Sequence, residues 1–442
     1  MLSIMSVQTI LIITTLSVVF FLPYANSSRP SVTGFRAGLT HIDLNRNFSK
    51  LELLQRMTQR SHHRMSRLVK RSLKLSKLDS SPGSKIQSKV RAGNGEYLMD
   101  MAIGTPSQSY SAIVDTGSDL IWTQCKPCVD CFSQSTPIFD PSTSSTYKKL
   151  PCTATLCEAL PAYTCNTDKS CEYQYSYGDS SSTQGTLSTE TITLGSQKVA
   201  DVTFGCGDTN DGAGFSQGAG LVGLGKGPLS LTSQLGLGKF SYCLTSLDET
   251  KTSPLFFGSL ADLSASSETP AQSTPLVKNP SQPSFYYLSL KGITVGSTKL
   301  AIPNSTFALD SDGTGGLIID SGTSITYLEL AGYKLVKKAF TSQMQLPVAD
   351  GSDVGLDLCF TAPSDTSSVV VPKLIFHFDG ADLDLPANNY IIADSTSGLL
   401  CLTVMGSRGM SILGNFQQQN FQFLYDVGND KLSFMPTQCH KL

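Results

Sequence analysis

Histidine is scarce in this chain, and its scarcity limits the catalytic chemistry available. Only five histidines occur in 442 residues, and His41, His62 and His63 all lie in a basic N-terminal arm. His440 lies near the C-terminus, and His377 lies in an apolar run that makes it a structural residue. Ser-His-Asp and Cys-His mechanisms therefore lack a convincing base, and the sequence contains no His-Glu-x-x-His zinc motif.

Charged residues and long helical patterns are also sparse. Charged side chains make up 15% of the chain, below the usual quarter, whereas glycine is frequent, with 37 residues. Helical periodicity is largely confined to residues 50–75 and a short piece near 330–345. With 40% hydrophobic residues available for full-sized cores, this composition is typical of an all-β protein with many turns.

The first 26 residues lack charged side chains altogether. They contain a long apolar run, residues 10–22, followed by small polar residues. This pattern predicts a secretory signal peptide over 1–26, with a membrane anchor as the alternative. The sequence contains no apolar C-terminal tail of the kind that signals a lipid anchor.

Residues 27–80 form a basic arm, with 12 Lys or Arg against 3 Asp or Glu. The rest of the chain carries 21 basic and 32 acidic residues, so the arm's natural electrostatic partner is its own acidic body. Arginines recur there at helical spacing: Arg56, Arg60, Arg64, Arg67 and Arg71. An apolar face is formed by Leu54, Met57, Met65 and Leu68. We interpret the arm as a propeptide; a membrane-bound or calmodulin-binding helix is the alternative.

Two similar stretches carry the candidate chemistry. Residues 111–118 read Ser-Ala-Ile-Val-Asp-Thr-Gly-Ser, and residues 316–323 read Gly-Leu-Ile-Ile-Asp-Ser-Gly-Thr. Each places an acid, Asp115 or Asp320, on a turn after a buried apolar strand, where carboxylates are normally avoided. Each stretch is also followed, further along the chain, by two aliphatic residues and a glycine, at 221–223 and 412–414. This repetition predicts a duplicated lobe with two acids that meet and share a proton.

The chain contains twelve cysteines, none of them in the first 80 residues. Seven fall in an insertion over residues 125–171, and a predicted secreted protein favours disulfide bonds between them. The spacing Cys125-x-x-Cys128-x-x-Cys131 also resembles part of an iron–sulfur, zinc or redox site. Sequence spacing alone does not give the connectivity.

The segment 218–227 is rich in glycine, as phosphate-binding loops are. No Gly-Lys-[Ser/Thr] motif follows a strand here, however. We interpret the segment as close backbone packing beneath the catalytic turn.

At the level of motifs, residues 93–439 resemble the pepsin-like aspartic proteinases, and within them the plant nepenthesin type. The residues that carry the resemblance are Glu96-Tyr97-Leu98, Ile103-Gly104-Thr105-Pro106, Asp115 to Ser118, Tyr177-Gly178-Asp179, Asp320 to Thr323 and Ile412-Leu413-Gly414. The resemblance implies an all-β, bilobal fold, in which two related β-barrel-like lobes enclose an active-site cleft. We expect a signal peptide at 1–26, a propeptide at 27–80, a first lobe at 81–255 and a second lobe at 256–442. Processing is expected within the breaker-rich residues 81–92.

The same resemblance assigns roles to individual residues. Asp115 and Asp320 would be catalytic, with supporting roles for Thr116, Gly117, Ser118, Ser321, Gly322 and Thr323. Tyr177 and Gly178 would belong to a flap that closes over bound peptide, with Trp122 as the partner of the flap tyrosine. The implied disulfides are Cys125–Cys128, Cys131–Cys206, Cys152–Cys171, Cys157–Cys165, Cys243–Cys439 and Cys359–Cys401.

Two carboxylates that share a proton suffice for peptide hydrolysis. One takes a proton from water while the other polarises the peptide carbonyl, so neither a metal nor an organic cofactor is required. The expected partners are protein and peptide substrates and the chain's own propeptide, without nucleic acid or stable membrane association. We expect a monomeric, secreted enzyme of the apoplast, or else of the vacuole, glycosylated at Asn304 in the sequon 304–306.

Two other functions remain open from the sequence. The chain would be a catalytically silent binding or inhibitor protein of the same fold if the acids or the flap were not functional. It would be a basic nucleic-acid or membrane binder if residues 27–80 stayed in the mature protein.

Overall fold

Strands dominate the part of the chain that the computed structural model describes. That part comprises residues 34–43, 48–75, 97–177, 181–212, 215, 218–247, 249, 251–263, 270–394 and 397–442. The predicted signal peptide 1–26 and the predicted processing region 81–92 lie outside the described residues, as does Gly178. The helices are α1 (Lys50–Leu75), α2 (Thr155–Glu158), α3 (Leu231–Leu235) and α4 (Leu330–Gln343). The all-β prediction is confirmed, and the two stretches of helical periodicity form α1 and α4.

The strands fall into two successive groups. The first group is β1 (Gly34–His41), β2 (Tyr97–Ile103), β3 (Gln108–Asp115), β4 (Trp122–Gln124), β5 (Lys148–Lys149), β6 (Tyr163–Cys165), β7 (Cys171–Ser176), β8 (Ser182–Leu194), β9 (Gln197–Asp211), β10 (Gly220–Gly223), β11 (Lys239–Cys243) and β12 (Ser253–Gly258). The second group begins with β13 (Gln272–Val277), β14 (Tyr287–Leu288), β15 (Leu290–Val295), β16 (Thr298–Lys299), β17 (Leu317–Ile319), β18 (Thr326–Glu329), β19 (Val348–Ala349) and β20 (Cys359–Thr361). It ends with β21 (Leu374–Phe378), β22 (Ala381–Leu385), β23 (Ile391–Asp394), β24 (Leu399–Leu402), β25 (Val404–Ser407), β26 (Ser411–Leu413), β27 (Phe421–Asp426) and β28 (Lys431–Pro436).

The two acid-bearing strands have the same surroundings in each lobe. In the first lobe β3 runs parallel to β10, which sets Gly223 opposite Asp115. In the second lobe β17 runs parallel to β26, so that Leu413 pairs with Ile319, directly before Asp320. A strand that is covered on both faces reads as a continuous apolar run, which explains the aliphatic residues before each acid. The sequence repetition therefore corresponds to a repeated structural unit.

The lobes share a sheet. Strand β11 of the first lobe pairs antiparallel with β27 of the second, with Phe240 opposite Tyr425. The rings of these two residues stack with centroids 4.6 Å apart, and both are fully buried. Strand β1, from the basic arm, enters the same network between β12 and β2. The arm is thus part of the sheet that joins the lobes.

Helix α1 begins with a capping box. The Ser49 hydroxyl accepts from the Glu52 N–H at 3.2 Å, while the Glu52 carboxylate accepts from the Ser49 N–H at 2.8 Å. One face of the helix is buried in an apolar cluster with side chains of the second lobe and comprises Leu54, Met57, Met65 and Leu68. The cluster also contains Val354, Leu356, Met410 and Phe416. The amphipathic pattern in the sequence therefore produces a helix docked on the second lobe.

The cysteines form six disulfides, and the described residues contain no free cysteine. Cys243–Cys439 and Cys359–Cys401 pair as the resemblance implied. The other four implied pairs are corrected by the structure to Cys125–Cys206, Cys128–Cys131, Cys152–Cys165 and Cys157–Cys171.

Local geometry explains the corrected pairs. Strands β4 and β9 are parallel neighbours. Cys125 directly follows β4, and its Cα therefore lies 5.3 Å from the Cα of Cys206 in β9. Cys128 and Cys131 then close on each other within one turn, with Cα atoms 6.1 Å apart. Cα separations of 4.4–6.8 Å are usual for disulfides. Because all three sulfurs of the Cys125-x-x-Cys128-x-x-Cys131 run are bonded in this way, they are not available as metal ligands.

His377 has a structural setting on β21. Its Nδ1 lies 2.7 Å from Asp382 Oδ1 and its Nε2 lies 2.7 Å from Thr294 Oγ1, on the two neighbouring strands β22 and β15. These contacts tie together three strands of the four-stranded sheet β16–β15–β21–β22.

In the described part of the chain, no helix has the length and apolar character needed to cross a membrane.

Candidate active site

Asp115 and Asp320 face each other across the two turns. Both residues are fully buried. A Cβ added to Gly322 would lie 2.6 Å from Asp115 Oδ1, and one added to Gly117 would lie 3.0 Å from Asp320 Oδ1. These close approaches require glycine at both positions, because any side chain would enter the space between the carboxylates.

Each carboxylate receives the same two hydrogen bonds from its own turn. Asp115 accepts from the Gly117 N–H at 2.9 Å and from the Ser118 hydroxyl at 2.6 Å. Asp320 accepts from the Gly322 N–H at 2.9 Å and from the Thr323 hydroxyl at 2.6 Å. The two acids are therefore held in matched environments. Donors of this kind favour the ionised form of a carboxyl group.

A second set of hydrogen bonds joins the turns directly. The Ser321 N–H donates to the Thr116 hydroxyl oxygen at 2.9 Å, and the Thr116 N–H donates to the Ser321 hydroxyl oxygen at 3.2 Å. The supporting role that the resemblance implies for Thr116 is therefore not a hydrogen bond to a carboxylate of the kind that Thr323 donates. The structure shows instead that Thr116 and Ser321 hold the two lobes together beneath the acids.

The guanidinium of Arg64, from helix α1, lies on both acids. Its Nε is 2.8 Å from Asp320 Oδ2, and its Nη2 is 2.5 Å from Asp115 Oδ1 and 3.1 Å from Asp320 Oδ1. The Arg64 side chain is 14% exposed. The sequence contained this arginine among five at helical spacing, with no signal that distinguished it from the others.

Burial raises the pKa of Asp320. The positive charge of Arg64 acts in the opposite direction, whereas the negative charge of Asp115 adds to the rise. An acid whose pKa is raised retains its proton to higher pH. Burial and the neighbouring carboxylate therefore favour the protonated form of Asp320, whereas Arg64 favours its ionised form.

The predicted flap aromatics pack around a residue that the sequence analysis missed. The ring of Phe215 lies 4.7 Å from that of Trp122 and 5.3 Å from that of Tyr177, both at steep interplanar angles. Tyr177 also packs on Tyr175, with centroids 5.1 Å apart. Burial raises the pKa of the Tyr177 hydroxyl well above its usual value, and the nearby Trp122 indole opposes the rise. Phe215 follows two glycines and an alanine, a context that gave no indication of this role.

The structure also shows the surroundings of the predicted glycosylation site. Asn304 is exposed at the start of a 3-10 helix, Asn304–Phe307, where its side chain is accessible to modification. Within the described ranges, no group of three or more His, Cys, Asp or Glu side chains is arranged to hold a metal ion.

The fold and the paired acid turns define a pepsin-like aspartic proteinase. Family models described as xylanase inhibitor N-terminal and xylanase inhibitor C-terminal match residues 97–259 and 285–436. Aspartic proteinase nepenthesin-1 of Nepenthes gracilis is 48% identical over 98% of this chain and 99% of its own length. Aspartic proteinase nepenthesin-2 of the same species is 50% identical over 92% and 90%. The crystal structure of edgp resembles the fold with a TM-score of 0.65 at 20% identity, covering 80% of this chain and 97% of that one.

The chain therefore belongs to the nepenthesin-type aspartic proteinases of plants. It is an aspartic-type endopeptidase, a hydrolase of peptide bonds.

Proposed function

We propose that the chain is a secreted, acid-active endopeptidase made as a zymogen, with Asp115 and Asp320 as its catalytic dyad. The observation that carries this proposal is the convergence of two buried carboxylates, with matched donors, around one guanidinium. Without such donors and a counter-charge, two buried carboxylates close enough to share one guanidinium would be strongly unfavourable.

The dyad accounts for hydrolysis without a covalent intermediate. Once Arg64 has left, the two carboxyl groups share a proton, because both cannot ionise easily at this distance. The ionised group then removes a proton from water, and the resulting oxygen attacks the peptide carbonyl carbon while the protonated group gives its proton to the carbonyl oxygen. The tetrahedral intermediate collapses when the C–N bond breaks: the amine nitrogen takes the proton removed from water, and one hydroxyl of the intermediate returns a proton to the other aspartate. The products are a carboxylic acid, an amine and a dyad that again holds one proton. The dyad titrates as a pair, so the roles of its members are not fixed to one aspartate.

Contacts of the basic arm support the zymogen. Ser61 Oγ accepts from the N–H groups of Ser324 and Ile325, at 3.0 and 3.1 Å, directly after the second acid turn. The Thr58 hydroxyl donates to the Val354 carbonyl at 2.6 Å. Together with Arg64, these polar contacts hold α1 in register along the second lobe.

Apolar burial adds to the docking of the arm. Four apolar side chains of α1 are at most 4% exposed: Leu54, Met57, Met65 and Leu68. Burial contributes about 1.5–3 kcal/mol for each such side chain. The arm is thus held by both charge and apolar contact, and acid weakens only the first.

The remaining parts of the proposal follow the chain in order. We assign residues 1–26 to a signal peptide, 27–80 to a propeptide, 81–255 to the first lobe and 256–442 to the second. Release of the propeptide leaves a monomeric enzyme that acts on proteins and peptides in the apoplast or vacuole. Asn304 is its glycosylation site, and no nucleic acid or stable membrane contact is involved.

Hydrolysis of an unfolded protein by the purified chain tests this proposal. We expect activity at about pH 3–4 that pepstatin abolishes, with D115N and D320N folded but inactive. Activity that persists in D115N, or that resists pepstatin, would contradict the dyad. N-terminal sequencing of the acid-treated protein checks the processing region, since an intact basic arm in the active form would contradict the zymogen.

The matched family models favour one second candidate, a silent protein that inhibits a xylanase. The retained acids and their donors argue against it. A chain that inhibits a xylanase and hydrolyses no protein at any pH would establish this candidate instead.

A further inference from the structure

Asp119 occupies an unusual position four residues after the first catalytic aspartate. The residue is 9% exposed. Its Oδ1 accepts from the Gly227 N–H at 2.8 Å, and its Oδ2 accepts from the hydroxyl of Ser284. The carboxylate therefore touches a loop of the first lobe and, through Ser284, the segment that precedes β14 in the second.

The glycine-rich loop is built around this carboxylate. A Cβ added to Gly225 or Gly227 would overlap carboxylate oxygens of Asp119, and one added to Gly223 would overlap its backbone. Alternate residues of the loop must therefore be glycine for Asp119 to fit. The fit around Asp119 explains the glycines at 223, 225 and 227, for which the sequence indicated only close backbone packing.

Both ends of this assembly reach a catalytic turn. On the first-lobe side, the Leu224 N–H donates to the Asp115 carbonyl at 2.8 Å. On the second-lobe side, the Tyr286 hydroxyl donates to the Leu224 carbonyl at 2.7 Å, and the Tyr286 carbonyl accepts from the Ile319 N–H at 3.0 Å. Ile319 directly precedes Asp320. Three hydrogen bonds, joined by the covalent bonds of Leu224 and Tyr286, thus link the two acid turns through the loop that Asp119 contacts.

The second lobe has no matching carboxylate. The residue four positions after Asp320 is Ser324, whose N–H donates to Ser61 of the arm. The carboxylate is therefore present on one side only, where its contact with Ser284 adds to the hydrogen bond that the Lys226 N–H donates to the Ser284 carbonyl at 2.9 Å.

We propose that Asp119 is a positioning residue of the hydrolytic reaction, which sets the separation of Asp115 and Asp320 by tying the glycine-rich loop to Ser284. This inference rests on the proposed dyad. The hydrogen bonds between Thr116 and Ser321 hold the turns on one side, and the Asp119 contacts hold them on another. Loss of the second support would let the acids move apart and weaken the interaction that keeps their two ionisation steps separate.

The test compares D119A, D119N and S284A with wild type after acid processing of the full chain. Because a misplacement of about 1 Å can cost on the order of 100-fold in rate, we expect kcat of D119A to fall by about 10–100-fold with KM changed less than about threefold. The two apparent pKa values in the pH profile of kcat/KM should move toward each other. D119N, which keeps an acceptor oxygen, should restore part of both properties.

K226M is the matched control. Lys226 lies on the same loop, and its Nζ pairs with Asp430 of the second lobe at 3.1 Å. This variant removes a contact between the lobes without touching Asp119, and its kcat and pH profile should stay close to wild type. Equal effects of K226M and D119A would overturn the inference, as would a D119A pH profile identical to that of wild type.

Two further measurements keep the outcome decisive. If D119A does not fold, S284A replaces it, since this change removes only one hydroxyl donor; unchanged kcat and pH profile in folded S284A would then overturn the inference. D115N is assayed in parallel. An active D115N refutes the dyad itself, whereas an inactive D115N beside a fully active D119A refutes the positioning role alone.

Discussion

Arg64 and Asp320 form an ion pair in which Nε lies 2.8 Å from Oδ2. The same guanidinium reaches Asp115, so one positive charge of the basic arm offsets part of the negative charge of both acids. The side chain that would block the site in the proposed zymogen is thus also the one that makes adjacent ionised carboxylates tolerable. In the proposed zymogen, release of the arm and gain of the shared proton are for this reason coupled.

Replacement of Arg64 by alanine should activate the unprocessed chain. Truncation of one partner of a buried charge pair costs about 2–5 kcal/mol, so the arm of R64A should be held less tightly near the dyad. We expect unprocessed R64A to hydrolyse an unfolded protein at least about tenfold faster than wild type at pH 5–6. R56A is the control, because Arg56 pairs with Asp43 and not with the dyad. Equal rates for R64A and wild type would refute the inhibitory role of Arg64.

His41 should make docking of the arm sensitive to pH. Burial is the main cause that lowers the pKa of His41 to about 4; the positive charge of Arg60 also lowers it, whereas the negative charge of Asp43 raises it. The Tyr97 ring packs against the imidazole, with ring centroids 5.2 Å apart. Because the folded pKa lies below the unfolded value near 6.5, neutral His41 stabilises the docked arm above pH 6.5. This contribution, at most about 3 kcal/mol, is lost as pH falls toward 4.

H41N tests this dependence because asparagine cannot titrate. Its amide oxygen can still accept the hydrogen bond that the Asp43 N–H donates to His41 Nδ1 at 3.3 Å. We expect the onset of activation to move down by about half a pH unit or more, as followed by hydrolysis across a pH series. An onset at the wild-type pH would show that His41 does not sense acid.

The hydroxyl donors at the dyad should set the acid limit of activity. In T323V and S118A, one hydrogen bond to a carboxylate is lost, which disfavours the ionised form. We expect the acid limb of kcat/KM to shift up by about one pH unit in each variant. T294V, which removes a hydroxyl near His377, should leave the profile unchanged. An unmoved acid limb in both T323V and S118A would contradict the assigned role of these donors.

Disulfide mapping should distinguish the two sets of pairs. Digestion without reduction, followed by mass spectrometry, should yield Cys125–Cys206 and Cys152–Cys165. Detection of Cys125–Cys128 and Cys152–Cys171 would contradict the structure and support the pairing that the family resemblance implied. Cys359–Cys401, common to both sets, is the internal control.

The sequence predicted the parts of this protein that depend on local pattern. Two aliphatic runs that end in Asp115 and Asp320 identified the buried strands and their turns, because burial on both faces requires such runs. The spacing of the arginines and of the apolar residues likewise predicted α1. The composition predicted an all-β protein and the repetition predicted a duplicated lobe, whereas the bilobal fold was implied by the family resemblance.

The features that were missed depend on how elements dock. Helical spacing gives a basic face but not which arginine meets the dyad, since that depends on the translation of α1 along the second lobe. Thr116 contacts Ser321 because two lobes meet, and Phe215 reaches Trp122 through a loop whose path the sequence does not specify. The disulfide connectivity could not be predicted for the same reason, because the spacing of cysteines does not reveal which strands are neighbours.

Because strand β1 is paired within the sheet, cleavage of the chain after the arm would not by itself release the arm. Backbone hydrogen bonds hold it against β12 on one edge and β2 on the other. A single break within residues 81–92 leaves every one of these bonds in place. Maturation would then pass through a nicked complex, in which the severed arm persists as a non-covalent inhibitor until acid dislodges it.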